Sequence, residues 1–154
     1  MNTVAHLVKR FILSLDRRKI AVATIEVVRE KLTEKEYLLW SQMPLIDKKH
    51  SIIVMGRFLE RLPNAEIAAV RASLLHDVGK TESNLGVIGR VVATIVGSRG
   101  KRFSRYHDHE KIGGEILRQI DSDATTCRLV SGEFAESDER LSMFAHALRD
   151  ADNI

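Results

Sequence analysis

Apolar residues recur every three or four positions along most of the chain, the spacing that places them on one face of an α-helix. The first such run spans residues 4–15 and the second spans residues 20–32. No segment shows strict alternation of apolar and polar residues between turn residues, so the sequence predicts no strand. The pattern therefore favours an all-α protein.

Capping residues indicate where several of the helices begin. Thr33 and Glu36 have the spacing of a capping box and open a predicted helix that ends near Pro44. Asp47 is the predicted N-cap of the long helix that follows, and Asn64 is the predicted N-cap of the next one.

Turn and capping residues divide the second half of the chain in the same way. Gly79 is the predicted end of the helix that Asn64 opens, and further helices are predicted over residues 85–96 and 108–120. Asp123 is a candidate N-cap for a short helix, and Ser137 with the acids behind it opens the last one. The prediction is a compact bundle of seven or eight helices.

Composition narrows the class of protein. A chain of 154 residues is long enough to bury the core of one domain, and its 44% hydrophobic residues suit a folded protein. The net charge of +3 permits a phosphorylated substrate without requiring nucleic acid, and we expect no nucleic acid partner. With Cys127 as the one cysteine, no internal disulfide can form. Lys9 and Arg10 interrupt the first apolar run, so we expect neither a signal peptide nor a membrane span but a cytoplasmic protein.

The most informative chemistry is His76 beside Asp77, at the end of an apolar helical stretch. A buried imidazole and carboxylate need partners, and one divalent metal satisfies both. A short break separates this helix from the preceding one, which places His50, predicted in the first turn, beside His76. Asp150 or Asp152 provides a late carboxylate from another helix, as in metal sites inside helical bundles.

This order of residues resembles the HD-domain superfamily of metal-dependent phosphohydrolases. Residues 74–80 are similar to the family's LLHDxGK string, residues 109–117 to its HxxxGxxxL helix, and residues 151–154 to its final Ala-Asp segment. The resemblance covers residues 47–154 and implies a helical bundle of the HD type. Residues 1–46 are predicted to form N-terminal helices packed on that bundle.

The resemblance implies a ligand set and a single metal. Four residues would hold the ion: His50, His76, Asp77 and Asp152. Asp152 is preferred to Asp150 because the family's ligand is the acid that follows an alanine. Two-metal relatives carry a further histidine after the helix of residues 108–120, and this chain has none in the stretch 128–133. We therefore expect one divalent ion: manganese, iron, cobalt, nickel or zinc.

The resemblance also implies hydrolysis of a nucleotide or another small phosphoester by a water molecule that the metal activates. The candidate catalytic residues are Asp77, Lys80 and His109. The candidate substrate-binding residues are Lys80, Arg90, Arg102 and Arg105. Two alternatives without a role in catalysis stay open. Lys80 could offset the partial negative charge at the carboxyl end of a helix, and the basic residues near position 100 could form a solvated face.

Two other functions remain open on the sequence. A metal-bearing or degenerate HD module could bind a nucleotide and regulate a partner without turnover. A structural helical protein could contain the same residues as a buried ion pair. Turnover of a phosphoester distinguishes the enzyme from the regulatory module, and metal analysis tests the structural reading. The pattern predicts no oligomeric state.

Overall fold

The computed structural model describes residues 18–80 and 109–153, together with Val92 and Ile95. These residues contain seven α-helices and no strand, so the all-α prediction is confirmed. The helix predicted over residues 4–15 lies outside the described residues. Val92 and Ile95, which fall within another predicted helix, are helical. Within the described ranges, no helix has the length and apolar content needed to cross a membrane.

The helices are α1 (Val22–Lys31), α2 (Glu34–Gln42), α3 (Leu45–Arg61), α4 (Ile67–Leu75), α5 (His109–Gln119), α6 (Ala124–Ser131) and α7 (Glu139–Asp152). Helix α4 is the most buried, because seven of its nine residues belong to the interior. It contacts α1, α2, α3 and α6, while α3 also packs against α7 and α5 packs against α6. Contacts with four other helices therefore fix the end of α4, and with it the position of the residues that follow.

Two of the predicted caps are present in the structure. The backbone nitrogen of Thr33 donates to Oε2 of Glu36 at 2.9 Å, and the nitrogen of Glu36 donates to Oγ1 of Thr33 at 3.3 Å, which completes the capping box. Asp123 accepts a hydrogen bond from the nitrogen of Thr125 at 2.8 Å and begins α6.

Two other predicted caps are wrong. Helix α3 begins at Leu45, directly after Pro44, so Asp47 lies inside the first turn instead of capping it. An acid there is still favourable, because the amino end of a helix carries partial positive charge. Helix α4 begins at Ile67 with Glu66 at the N-cap position and no side-chain cap, so Asn64 does not begin it.

Gly79 does not end α4, contrary to the prediction. The helix ends at Leu75, and residues 76–79 form turns in which the nitrogen of Val78 donates to the carbonyl of Leu75 at 3.0 Å. A Cβ atom on Gly79 would overlap the backbone of His109 and of Gly113 on α5. The glycine therefore permits close approach between this turn and α5.

Helices α1 and α2 share the core with the rest of the described chain. Trp40 and Met43 are buried, and the indole nitrogen of Trp40 donates to Oγ of Ser51 on α3 at 3.0 Å. The carboxylate of Glu36 is fully buried and accepts a hydrogen bond from the hydroxyl of Ser122, just before α6. These polar contacts fix α2 against helices that are distant in sequence.

Candidate metal centre

Three elements bring His50, His76 and Asp152 together: α3, the turn after α4, and the end of α7. Oδ1 of Asp152 lies 2.7 Å from Nε2 of His50 and 3.4 Å from Nε2 of His76. The ring centroids of the two histidines are 5.5 Å apart. One potential ligand atom from each residue lies within 4.8 Å of the other two, a spacing that a single metal ion can span.

The packing of α3 on α4 and α7 explains this convergence. Because α3 begins at Leu45, His50 lies in its second turn, one turn later than predicted. Arg57, two turns further along α3, donates from Nη1 to the carbonyls of Ala151 and Asn153, each at 3.3 Å. These two carbonyls flank Asp152, so the arginine holds the end of α7 beside the helix that carries His50.

Of the two candidate late carboxylates, the structure brings Asp152 into the group and leaves Asp150 outside it. Asp152 is half-exposed, whereas His50 is buried. One side of the group therefore faces the protein interior and the other is open to a ligand.

The backbone determines which nitrogen of His76 is available. Nδ1 lies 2.8 Å from the carbonyl oxygen of Ser73 and donates a hydrogen bond to it. Nε2 is buried and has no hydrogen-bond partner within the part of the chain that the structure describes. Buried polar atoms are normally satisfied, and a histidine held through Nδ1 presents Nε2 in the way that metal-binding histidines do. The residues present therefore fit a divalent metal.

Asp77 borders this group. Its carboxylate is buried, and Oδ2 lies 3.5 Å from Nε2 of His76 and 3.9 Å from Nε2 of His50. The same oxygen forms an ion pair with the ammonium group of Lys80. Asp77 is thus close enough to both imidazoles to join a ligand set, and Lys80 holds it in place.

The charges in the group favour an ionised carboxylate. Burial alone would raise the pKa of Asp152, but the hydrogen bond with His50 and the charges of His50 and His76 outweigh it and hold this pKa well below its usual range. Burial would also lower the pKa of His76, but the Asp152 and Asp77 carboxylates outweigh it and raise this pKa. Asp152 therefore carries the negative charge that a metal ligand requires.

A cavity of about 280 Å³ opens beside the group. Its polar lining comes from His76, Asp77, His109, Glu110, Arg149 and Asp152. His109, predicted as a catalytic residue, thus lies on the wall of the cavity at the start of α5, whereas Lys80 reaches the site through Asp77. The three predicted substrate contacts Arg90, Arg102 and Arg105 lie outside the described residues.

Sequence reasoning missed Glu110 and Arg149. Arg149 precedes Asp152 by three positions on α7, and residues at this spacing lie on the same face of a helix. This spacing was the signal that could have identified Arg149, once Asp152 had been chosen as a ligand. Glu110 had only its position beside His109 to indicate it.

The family model of the HD domain matches residues 48–154, which is more than half of the chain. Comparison with curated proteins finds no match, and comparison with solved structures finds none either. HD domains are typical of metal-dependent phosphohydrolases. The matched range includes all the residues of the group described above, and the chain belongs to the HD-domain family.

Proposed function

We propose that this protein is a metal-dependent phosphohydrolase that acts on a nucleotide or another small phosphoester. In this proposal one divalent ion binds four residues: His50, His76, Asp77 and Asp152. The observation that carries the proposal is the buried Nε2 of His76, which has no hydrogen-bond partner among the described residues and faces His50 and Asp152. A cation is the partner that two imidazole nitrogens and an ionised carboxylate share best.

A divalent ion at this position would lower the pKa of a water molecule and offset negative charge on a phosphoryl group. Asp77 would hold the ion through one oxygen and accept a proton from the attacking water. Lys80, paired with Asp77, would hold that carboxylate in place and would lie near a substrate phosphate. His109 lines the same cavity and would donate a proton to the leaving group.

The test compares two aspartates on the same helix. Protein stripped with a chelator is reloaded with Mn²⁺, Co²⁺, Ni²⁺ or Zn²⁺, and phosphate release is measured over a panel of nucleotides and p-nitrophenyl phosphate. Asp152→Ala should weaken metal binding by more than about 100-fold. Mutation of a residue that only hydrogen-bonds to a metal ligand already lowers metal affinity by roughly 10 to 100-fold. Asp150→Ala, which alters an exposed carboxylate outside the group, should retain metal and turnover.

Three results would contradict the proposal. These are turnover that persists without metal, equal losses in Asp152→Ala and Asp150→Ala, and the absence of turnover on every phosphoester tested. Metal-dependent binding of a nucleotide with no phosphate release would instead support the regulatory module.

A further inference from the structure

Arg149, an exposed arginine on α7, forms no ion pair within the part of the chain that the structure describes. It lines the cavity together with Asp152, one turn later on α7. Its guanidinium has no hydrogen bond or ion pair with any other residue that the structure describes. Arg140 on the same helix differs, because both carboxylate oxygens of Glu66 lie 2.6 Å from its Nη1. The donors of Arg149 therefore remain available to a ligand.

The balance of charge shows when an anion could bind there. Among the described residues, the cavity and its immediate surroundings contain three carboxylates, Asp77, Glu110 and Asp152, against two cations, Lys80 and Arg149. These carboxylates and cations together carry excess negative charge, which repels an anion. A divalent ion reverses the sign of this excess. An anionic ligand of Arg149 should therefore bind only when the metal is present.

The remainder of the cavity wall is apolar. It is formed by residues of α6, of the following loop and of α7: Leu129, Val130, Phe134, Ala145 and Leu148. Leu129 and Leu148 are buried, and the ring of Phe134 is partly buried against the core. These side chains offer no hydrogen bonds but shield an apolar group from water.

The size of the cavity limits what this wall can receive. A volume of about 280 Å³ is slightly below the range usual for sites that enclose drug-sized ligands, roughly 300 to 1,000 Å³. It leaves room for a phosphoryl group and one ring-sized substituent.

We propose that the cavity binds phosphomonoesters with a compact apolar or aromatic group, and that Arg149 contacts their phosphoryl oxygens. This inference rests on the proposed function. The planar guanidinium donates two parallel hydrogen bonds to such oxygens. Phe134 and its apolar neighbours on the cavity wall receive the organic group. Arg149 is then a substrate-binding residue, and the apolar wall determines which esters are preferred.

Phosphonates test this proposal without any turnover, because their carbon–phosphorus bond is not hydrolysed. Calorimetry on protein loaded with Co²⁺ or Mn²⁺ should show phenylphosphonate binding about tenfold more tightly than methylphosphonate, and chelator should abolish both. Arg149→Gln should lower the affinity for both phosphonates by about tenfold or more, while the affinity for the metal stays unchanged. Phe134→Ala should remove the preference for phenylphosphonate and leave methylphosphonate binding nearly as it was.

Arg140→Gln is the matched control and should bind both probes as the wild type does, because it alters an exposed ion pair outside the cavity. The proposal is overturned if Arg149→Gln binds phosphonates normally, if its affinity for metal falls in parallel, or if the two probes bind equally. Tight, Arg149-dependent phosphonate binding without hydrolysis of any ester would contradict only the proposed function. Absence of metal binding would overturn both.

Discussion

The carbonyl of Ser73 determines how His76 can act. It belongs to the last turn of α4, where carbonyl groups lack a partner within the helix. By accepting a hydrogen bond from Nδ1, it orients the ring before any ligand binds. The His-Asp pair in the sequence identifies the side chains, but which ring nitrogen is free depends on this local backbone contact. For that reason the sequence predicted the residue and could not predict its tautomer.

Asp77→Ala should abolish both metal binding and phosphoester hydrolysis while the helix content stays the same. The carboxylate borders both imidazole nitrogens, and the alanine offers no ligand atom. Stability should fall in buffer that contains metal, because the contribution of the bound ion is lost. In chelator it should change little or rise, since a buried carboxylate near another acid is removed and Lys80 is exposed enough to turn to water.

Metal titration by calorimetry and thermal unfolding with and without chelator measure these effects. Full metal occupancy and wild-type hydrolysis in Asp77→Ala would mean that this residue only stabilises the turn.

Cys127 should be unreactive in the folded protein. It is buried, and burial is the main cause that raises the pKa of its thiol from 9.0 to about 11. Because the thiolate is the reactive form, labelling by iodoacetamide at pH 8 should be slow in the native protein and fast in denaturant. The unfolded chain releases this proton first as the pH rises, so the Cys127 contribution to stability should decline between about pH 9 and pH 11.

Urea unfolding of the wild type and of Cys127→Ala at pH 7 and pH 10 isolates that contribution, since the variant lacks the thiol and keeps every other titrating group. Rapid labelling of the native thiol at pH 8 would contradict the expectation.

At the scale of helices and turns, the sequence predicted best those features that depend only on residues close together along the chain. The capping box of Thr33 and Glu36 is a local arrangement of four residues, and it is present. The end of α4 was predicted wrongly because Gly79 is required by the approach of α5, thirty residues later in the sequence. Such a requirement leaves no trace in the local pattern, where a glycine after a helix has its ordinary meaning as a stop.

Gly79→Ala should lower the free energy of unfolding by roughly 1 to 3 kcal/mol, because the added Cβ has no room against the backbone of α5. It should also weaken metal binding, since His76 and Asp77 lie in the same turn. Gly56→Ala is the matched control. A Cβ at this exposed position in the middle of α3 meets no atom within 4 Å, so the change should raise stability by about 0.5 to 1 kcal/mol.

Urea unfolding of both variants, with metal affinity as the second measurement, tests this pair. Equal stabilities would mean that the turn and α5 separate without cost, and that Gly79 is not needed for close packing.

Across the whole molecule, the fold class was predicted from the helical spacing of apolar residues, and the order of the candidate ligands along the chain was sufficient to predict that His50, His76 and Asp152 lie close together. It was not sufficient to predict the cavity, because the apolar wall and Arg149 come together only when α6 and α7 pack around the site. The domain boundary predicted at residue 47 stays a prediction. In the structure Glu36, from before that boundary, is buried in contact with Ser122 and lies 3.5 Å from the Arg71 side chain.

One divalent ion per chain is the feature on which the proposed chemistry depends, and calorimetric titration of chelator-stripped protein measures it. The ions to be tested are Mn²⁺, Co²⁺, Ni²⁺ and Zn²⁺, with Fe²⁺ under argon. The wild type and His146→Ala, whose histidine is exposed on α7 outside the site, should each bind one ion, whereas His76→Ala should lose tight binding. A wild type that binds none of these ions, or a His76→Ala variant that binds them as tightly as the wild type, would contradict the metal centre described here.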